Sequence, residues 1–338
     1  MATPSTSHVI AVVGATGNQG AGVIQALLAS KTPDGGLWHV RGITRDANSA
    51  RAKKFLSDNQ TVDHRLSLVA GETYDKASLQ DAFAGAYGVF AMTSETHAGR
   101  ILDKEEDMKH EVEAGRNMVL AAEECRVKHL VFSSLPDMIS ATGGRYVNIH
   151  HMNNKYEVEK FARQQMSGGV TCLIPGFFYS NLSWPQYCTR RADGVIRFVI
   201  PIPSSQVAQW TDPIHDMGMF AARVFELGVS KTHGNTYLVL SPRVTPEEMV
   251  QTFIKVTGQP AIHEPISAEE FAELTVPRVG PAFRQDAREM MEWAAVAPAD
   301  RIAYGAFAED SDRSFQDLGL KASTFEEWLC RSGWMGPE

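Results

Sequence analysis

The chain has 338 residues, 43% of them apolar and 21% charged, a balance that excludes disordered, collagen-like and low-complexity proteins and allows a sizeable core. Forty acidic against 32 basic residues leave a formal charge of −8, and no Lys/Arg-rich run supplies the concentrated positive surface that direct nucleic-acid binding needs. Cys125, Cys172, Cys188 and Cys330 have no CxxC or ligand-like spacing and the N-terminus reads as neither leader nor membrane span, so the expected setting is a reducing one, the cytoplasm or nucleus, away from membranes.

In chain order, His8 to Val13 reads as a first strand, and a helix from Asn18 to Ser30 follows it with Val23, Ile24, Leu27 and Leu28 on the buried face. Lys31 to Gly36 is a turn cluster. Strands are expected at 38–44, 66–70, 87–92, 129–134 and 170–174, with helices at 50–56, 76–83, 105–125 and 155–166 between them. Arg51, Lys53 and Lys54 read as the solvated face of the second helix. This alternation predicts an α/β fold, a doubly wound Rossmann-type parallel sheet over residues 1–176. Beyond Phe177 prolines become frequent, with helices expected at 214–227, 246–257, 268–274, 282–294 and 323–331. Residues 177–338 therefore read as a smaller, mostly helical substrate or cap portion, interleaved with the sheet edge.

The first strand runs into Gly14-Ala-Thr-Gly17-Asn-Gln-Gly20, whose GxxGxxG spacing between a strand and a helix fits a loop that brings a dinucleotide pyrophosphate to a helix N-terminus. The second strand ends in Thr44-Arg45-Asp46; Arg45 favours the 2′-phosphate of NADP(H), and the competing reading makes Asp46 a ribose ligand. Glu72 and Thr73, just past the third strand, suit the adenine neighbourhood or are only loop.

The glycine loop, Val40-Arg-Gly-Ile-Thr-Arg45 and Gly85-Ala-Tyr-Gly-Val-Phe-Ala-Met-Thr93 resemble the NmrA-like family of atypical short-chain dehydrogenase/reductases. The likeness continues through His151-Met-Asn-Asn-Lys155, Glu157 to Phe161, Pro175 to Asn181, Asp212 to Asp216 and Thr324 to Leu329, nearly the whole chain. The resemblance implies dinucleotide contacts at Gly14, Ala15, Thr16, Gly17, Asn18 and Gln19, and Arg45 at the 2′-phosphate. It also implies Met92, Thr93 and Ser94 after the fourth strand, Lys155 near the nicotinamide ribose, and Phe178, Tyr179, Ser180 and Asn181 beside the nicotinamide.

Typical short-chain dehydrogenases carry Tyr-x-x-x-Lys, but four residues before Lys155 stands His151. His151 either replaces the tyrosine as proton donor or packs and caps the helix. Lys155 is a cofactor ligand, a general acid, or an exposed lysine paired with Glu159 one turn on. Tyr146 and Tyr179 are alternative phenols, and Ser133 and Ser134 stand where a carbonyl-polarising serine is usual. His97 and His110 lack ligand spacing and neither HExxH nor GxSxG occurs, so no metal and no serine nucleophile is expected. Trp184, Trp210, Phe283, Met290, Met291 and Trp293 could line an apolar pocket or fill a core. Two functions stand side by side. One is an NADPH-dependent reductase of a carbonyl, imine or activated double bond in a small molecule, and the other a non-catalytic NADP(H) sensor that binds a regulatory protein partner.

Overall fold

The computed structural model describes residues 8–338. Seven parallel strands form the central sheet: β1 (Val9–Val13), β2 (His39–Thr44), β3 (Leu66–Ala70), β4 (Gly88–Met92), β5 (His129–Ser133), β6 (Gly169–Pro175) and β7 (Thr236–Val239). Their spatial order is β7-β6-β5-β4-β1-β2-β3. The winding reverses between β1 and β4, and the crevice at their carboxyl ends is where such a sheet binds ligands.

The longer helices are α1 (Asn18–Ala29), α2 (Ala50–Asn59), α3 (Lys76–Phe83), α4 (His110–Glu124), α5 (His150–Gln165), α6 (His215–Leu227), α7 (Pro246–Thr257), α8 (Ala268–Val279), α9 (Arg284–Ala294) and α10 (Phe325–Ser332). Alternate residues of β1 serve opposite faces of the sheet: Ile10 and Val12 pack with Val23 and Leu27 of α1 and Phe220 and Val224 of α6. Ala11 and Val13 pack instead with Leu79, Val119 and Val158 of α3, α4 and α5. Burial on both faces explains why these strands read as continuous apolar runs. Beyond the sheet, α7 to α10 enclose a separate aromatic core that includes Tyr187, Phe198, Phe253, Phe271 and Trp328. Thr245, Ser267 and Thr324 start α7, α8 and α10 with reciprocal Glu partners three residues on, which fixes where each helix begins. No helix among the described residues is long and apolar enough to cross a membrane.

Two features depart from the sequence reading. The chain beyond residue 176 returns to the sheet as α6 and β7, a strand of four residues, Thr236–Val239, where the sequence reading placed none although its β-branched and aromatic residues favour one. Helix α5 starts at His150, not Lys155, and so includes His151. Its N-cap residue Ile149 offers no side-chain cap, and acceptors come from α9: Asp286 Oδ2 accepts from the His151 N–H at 2.7 Å, and Glu289 Oε2 from the Asn148 N–H at 2.8 Å.

His129, on β5, is 0% exposed; it hydrogen-bonds Thr171 Oγ1 through Nε2 at 2.9 Å and meets the Phe225 ring edge-on. Burial, with a smaller push from His233, lowers its pKa from 6.5 to about 4. The unfolded chain takes up this proton near pH 6.5 and the folded chain only near 4, so stability falls as pH drops across that window, by up to about 3 kcal/mol. Denaturant unfolding at pH 7 and 4.5 is expected to show this loss, and His129→Leu to flatten it.

Candidate active site

The glycine loop turns directly off β1. Gly14 has φ +70, the Gly17 N–H donates to its carbonyl at 2.9 Å, and a Cβ on Gly20 would stand 2.2 Å from that same oxygen. Helix α1 then begins at Asn18 with no side-chain cap and no acidic residue in its first turn, so its positive end is uncompensated. The Gln19 Oε1 is buried there without a hydrogen-bond partner among the described residues. An uncapped helix start behind a tight glycine turn fits a dinucleotide diphosphate.

Arg45 is exposed just past β2, while the Asp46 carboxylate is taken by its own turn, accepting from the Asn48 N–H at 2.8 Å. Arg51 is exposed like Lys53 and Lys54, as expected of a solvated helix face, but it has a further contact: it lies in the first turn of α2, which Ser49 caps, and its guanidinium donates to the Thr16 carbonyl of the glycine loop.

A cavity of about 600 Å³ connects this loop to the cap. Of the residues singled out in the sequence, Gly17, Asn18, Gln19, Met92, Thr93, Ser94, Ser133, Ser134, His151, Lys155, Phe178, Ser180 and Asn181 line it together. The Asn18 Nδ2 and Ser180 Oγ are 3.4 Å apart, linking the glycine loop to the segment after β6. Gly14, Ala15, Thr16 and Arg45 are not in its wall, nor are Glu72 and Thr73, whose loop is held by Ser78 and Asn117. Tyr179 is withdrawn from the cavity: its ring, 0% exposed, stacks on Trp210 and Trp328 in the cap core, because an aromatic layer there takes the whole side chain. Tyr146 packs near Trp293, so neither alternative phenol reaches the cavity. Trp184, Phe283 and Met290 line the wall, whereas Trp210 and Met291 are core and Trp293 borders a separate small cleft.

Lys155 does not pair with Glu159, which is held by Arg163. Its Nζ instead contacts Glu111, a carboxylate on α4 that is 0% exposed and also accepts from Thr93 Oγ1 at 2.7 Å. Burial raises the Glu111 carboxyl and the Lys155 charge opposes that rise. Glu111 Oε2 has no hydrogen-bond partner among the described residues. His151 is held just as firmly: Nδ1 lies 2.5 Å from Asp286 Oδ1, and the ring meets Phe283 edge-on. A carboxylate can only accept, so Nδ1 carries the hydrogen and Nε2 is left for the cavity. At the mouth, Glu95 pairs with Arg278, whose guanidinium lies 3.9 Å from the Trp184 ring centroid. Burial raises the Glu95 carboxyl, but Arg278 and then Lys155 outweigh it and hold the group below its usual range.

Glu111, Asp286, Arg51, Glu95 and Arg278 were missed in the sequence. Two left a trace: Glu111 falls in phase with Met108, Gly115 and Met118 on the apolar stripe of α4, and Asp286 with Phe283 and Met290 on that of α9. A carboxylate in such a stripe is buried and therefore needs a partner.

The sheet, the glycine turn and the cavity define a Rossmann-type architecture of the NAD(P)-dependent oxidoreductase kind. The chain belongs to the NmrA-like family, whose model matches residues 6–329. The NmrA-like family domain-containing oxidoreductase malD of Malbranchea aurantiaca is 27% identical over 263 residues, 75% of this chain and 74% of its own. Among solved structures, NmrA, a negative transcriptional regulator in complex with NADP, superposes with a TM-score of 0.70 at 18% identity over 98% of this chain and 93% of that one. The Citrobacter sp. triphenylmethane reductase complexed with NADP(H) does so with 0.66 at 20% identity, over 96% and 99%. These two likenesses are of fold.

Proposed function

We propose that the protein is an NADP(H)-dependent reductase acting on a carbonyl, imine or activated double bond of a small organic molecule. One observation carries this reading: a single cavity joins the uncapped start of α1 to a histidine backed by a buried aspartate and roofed by the cap. The oxidoreductase relatives point the same way.

Bound NADPH would supply the hydride, and the protein's residues do the rest. The N–H groups of Asn18 and Gln19 bind the diphosphate, and Arg45, with Arg51 beside the glycine loop, meets the 2′-phosphate. Lys155, its charge balanced by Glu111, is held in place to hydrogen-bond the ribose hydroxyls. Ser133 and Ser134 at the end of β5 offer weak polarisation of the acceptor atom. The Nε2 of His151 gives that atom its proton, and Asp286 stabilises the imidazolium before transfer.

The test is cofactor preference joined to turnover. Purified protein is expected to bind NADPH more tightly than NADH, and Arg45→Ala to lose about 10-fold or more of that preference in a fluorescence titration, the scale of a charge-assisted hydrogen bond. Equal affinity for the two cofactors in the unaltered protein sinks the NADP assignment. NADPH oxidation with a panel of carbonyls, imines and enones tests the reaction. The histidine that stands in place of the tyrosine of Tyr-x-x-x-Lys favours a second reading, a cofactor sensor. Silence across the whole panel together with NADPH-dependent capture of a protein partner supports that reading instead.

A further inference from the structure

The cap side of the cavity is walled by Phe177, Tyr187, Phe271, Phe283, Met290 and Tyr304, a lining made for a flat apolar body. Tyr304 stands out for its backbone. Ala303 and Tyr304 have φ 49 and 60, two consecutive side-chain-bearing residues in the left-handed region, and Gly305 follows at φ 76. Such a turn persists only where its surroundings enforce it, and here they do. The Ala303 N–H donates to Gln209 Oε1 at 3.1 Å, Trp293 Nε1 donates to the Tyr304 carbonyl at 2.7 Å, and Arg301 donates to the carbonyls of Gly305 and Ala306.

That scaffold fixes the phenol while leaving it unsatisfied. The ring lies edge-on to Phe177 at 5.1 Å, and the hydroxyl has no hydrogen-bond partner among the described residues; Tyr187, the other phenol in the wall, has Asn181 beside its hydroxyl. Burial pushes the Tyr304 phenol far above its usual range, so it stays protonated at neutral pH and acts as a donor.

We propose that the cap wall is a subsite for a flat aromatic compound carrying a hydrogen-bond acceptor, and that the Tyr304 hydroxyl donates to that acceptor and sets the compound's orientation. The proposal rests on the reductase reading for its place in the reaction, where Tyr304 keeps its proton and His151 gives one up.

The test is binding, which needs no turnover. With the protein saturated by NADP⁺, quenching of tryptophan fluorescence is titrated with 2-acetylnaphthalene and with 2-ethylnaphthalene, which share a ring and a length and differ in the carbonyl. The wild type is expected to bind the ketone about 10-fold more tightly, the scale of a donated hydrogen bond to a desolvated acceptor. Tyr304→Phe is expected to keep the hydrocarbon and cofactor affinities and to lose the preference. A ketone preference that survives in Tyr304→Phe overturns the assignment, as does failure of the wild type to bind either compound. A Tyr304-dependent preference without NADPH oxidation by any panel compound leaves this subsite standing and removes the reductase reading. Oxidation with unchanged kcat/KM in Tyr304→Phe does the reverse.

Discussion

Replacing His151 with alanine is expected to lower kcat for NADPH-dependent reduction by about 100-fold or more, the scale of a lost general acid, with NADPH affinity within a few fold of the parent. The Nδ1 of His151 is occupied by Asp286, which is 0% exposed, and Nε2 is the only nitrogen left for the cavity that the ring lines. Asp286→Asn keeps the shape but weakens the hold on the imidazolium, and a loss of about 10-fold follows, the usual cost of disturbing such an orienting partner. Because Asp286 also accepts from the His151 N–H, this variant should be checked by circular dichroism for the start of α5. Unchanged kcat in His151→Ala would falsify the donor assignment.

The second large effect concerns stability. Glu111→Ala leaves the Lys155 ammonium, whose side chain is 10% exposed, without its paired carboxylate, and is expected to cost about 3–5 kcal/mol in denaturant unfolding. Lys155→Met should cost less. The carboxylate left behind lies in surroundings whose burial already raises its carboxyl, so it escapes the penalty by taking a proton. Glu111→Leu combined with Lys155→Met is expected to regain most of the stability while weakening NADPH binding. Additive losses in the double variant would show that the two side chains do not act as a pair.

What was legible in the sequence, and what was not, follows from the range of each interaction. Six strands and the glycine loop were readable because their causes are local: β-branched runs buried on both faces, and a turn with glycine at Gly14. His151 and Lys155 were found as a spacing of four, but their partners come from elsewhere, Glu111 from α4 and Asp286 from α9. A pairing across that much chain leaves no local pattern, so of the three readings of Lys155 the one that gives it an acid names Glu159, one turn on, which Arg163 holds instead. Arg51 shares its turn and its exposure with Lys53 and Lys54, and only the placement of α2 beside the glycine loop distinguishes it. Tyr179 was placed by its neighbours Phe178, Ser180 and Asn181, yet its ring turns into the aromatic layer behind them.

The return of the chain to form β7 has a consequence for biosynthesis. When β6 has left the ribosome its outer edge is a row of unpaired amides on an apolar strand, Gly169 to Pro175, every residue of which is buried in the finished protein. Nothing covers that edge until Thr236 to Val239 has been made and has paired with it. The nascent protein thus passes through a stretch of translation in which this apolar strand edge is open, and truncations ending before β7 are expected in inclusion bodies.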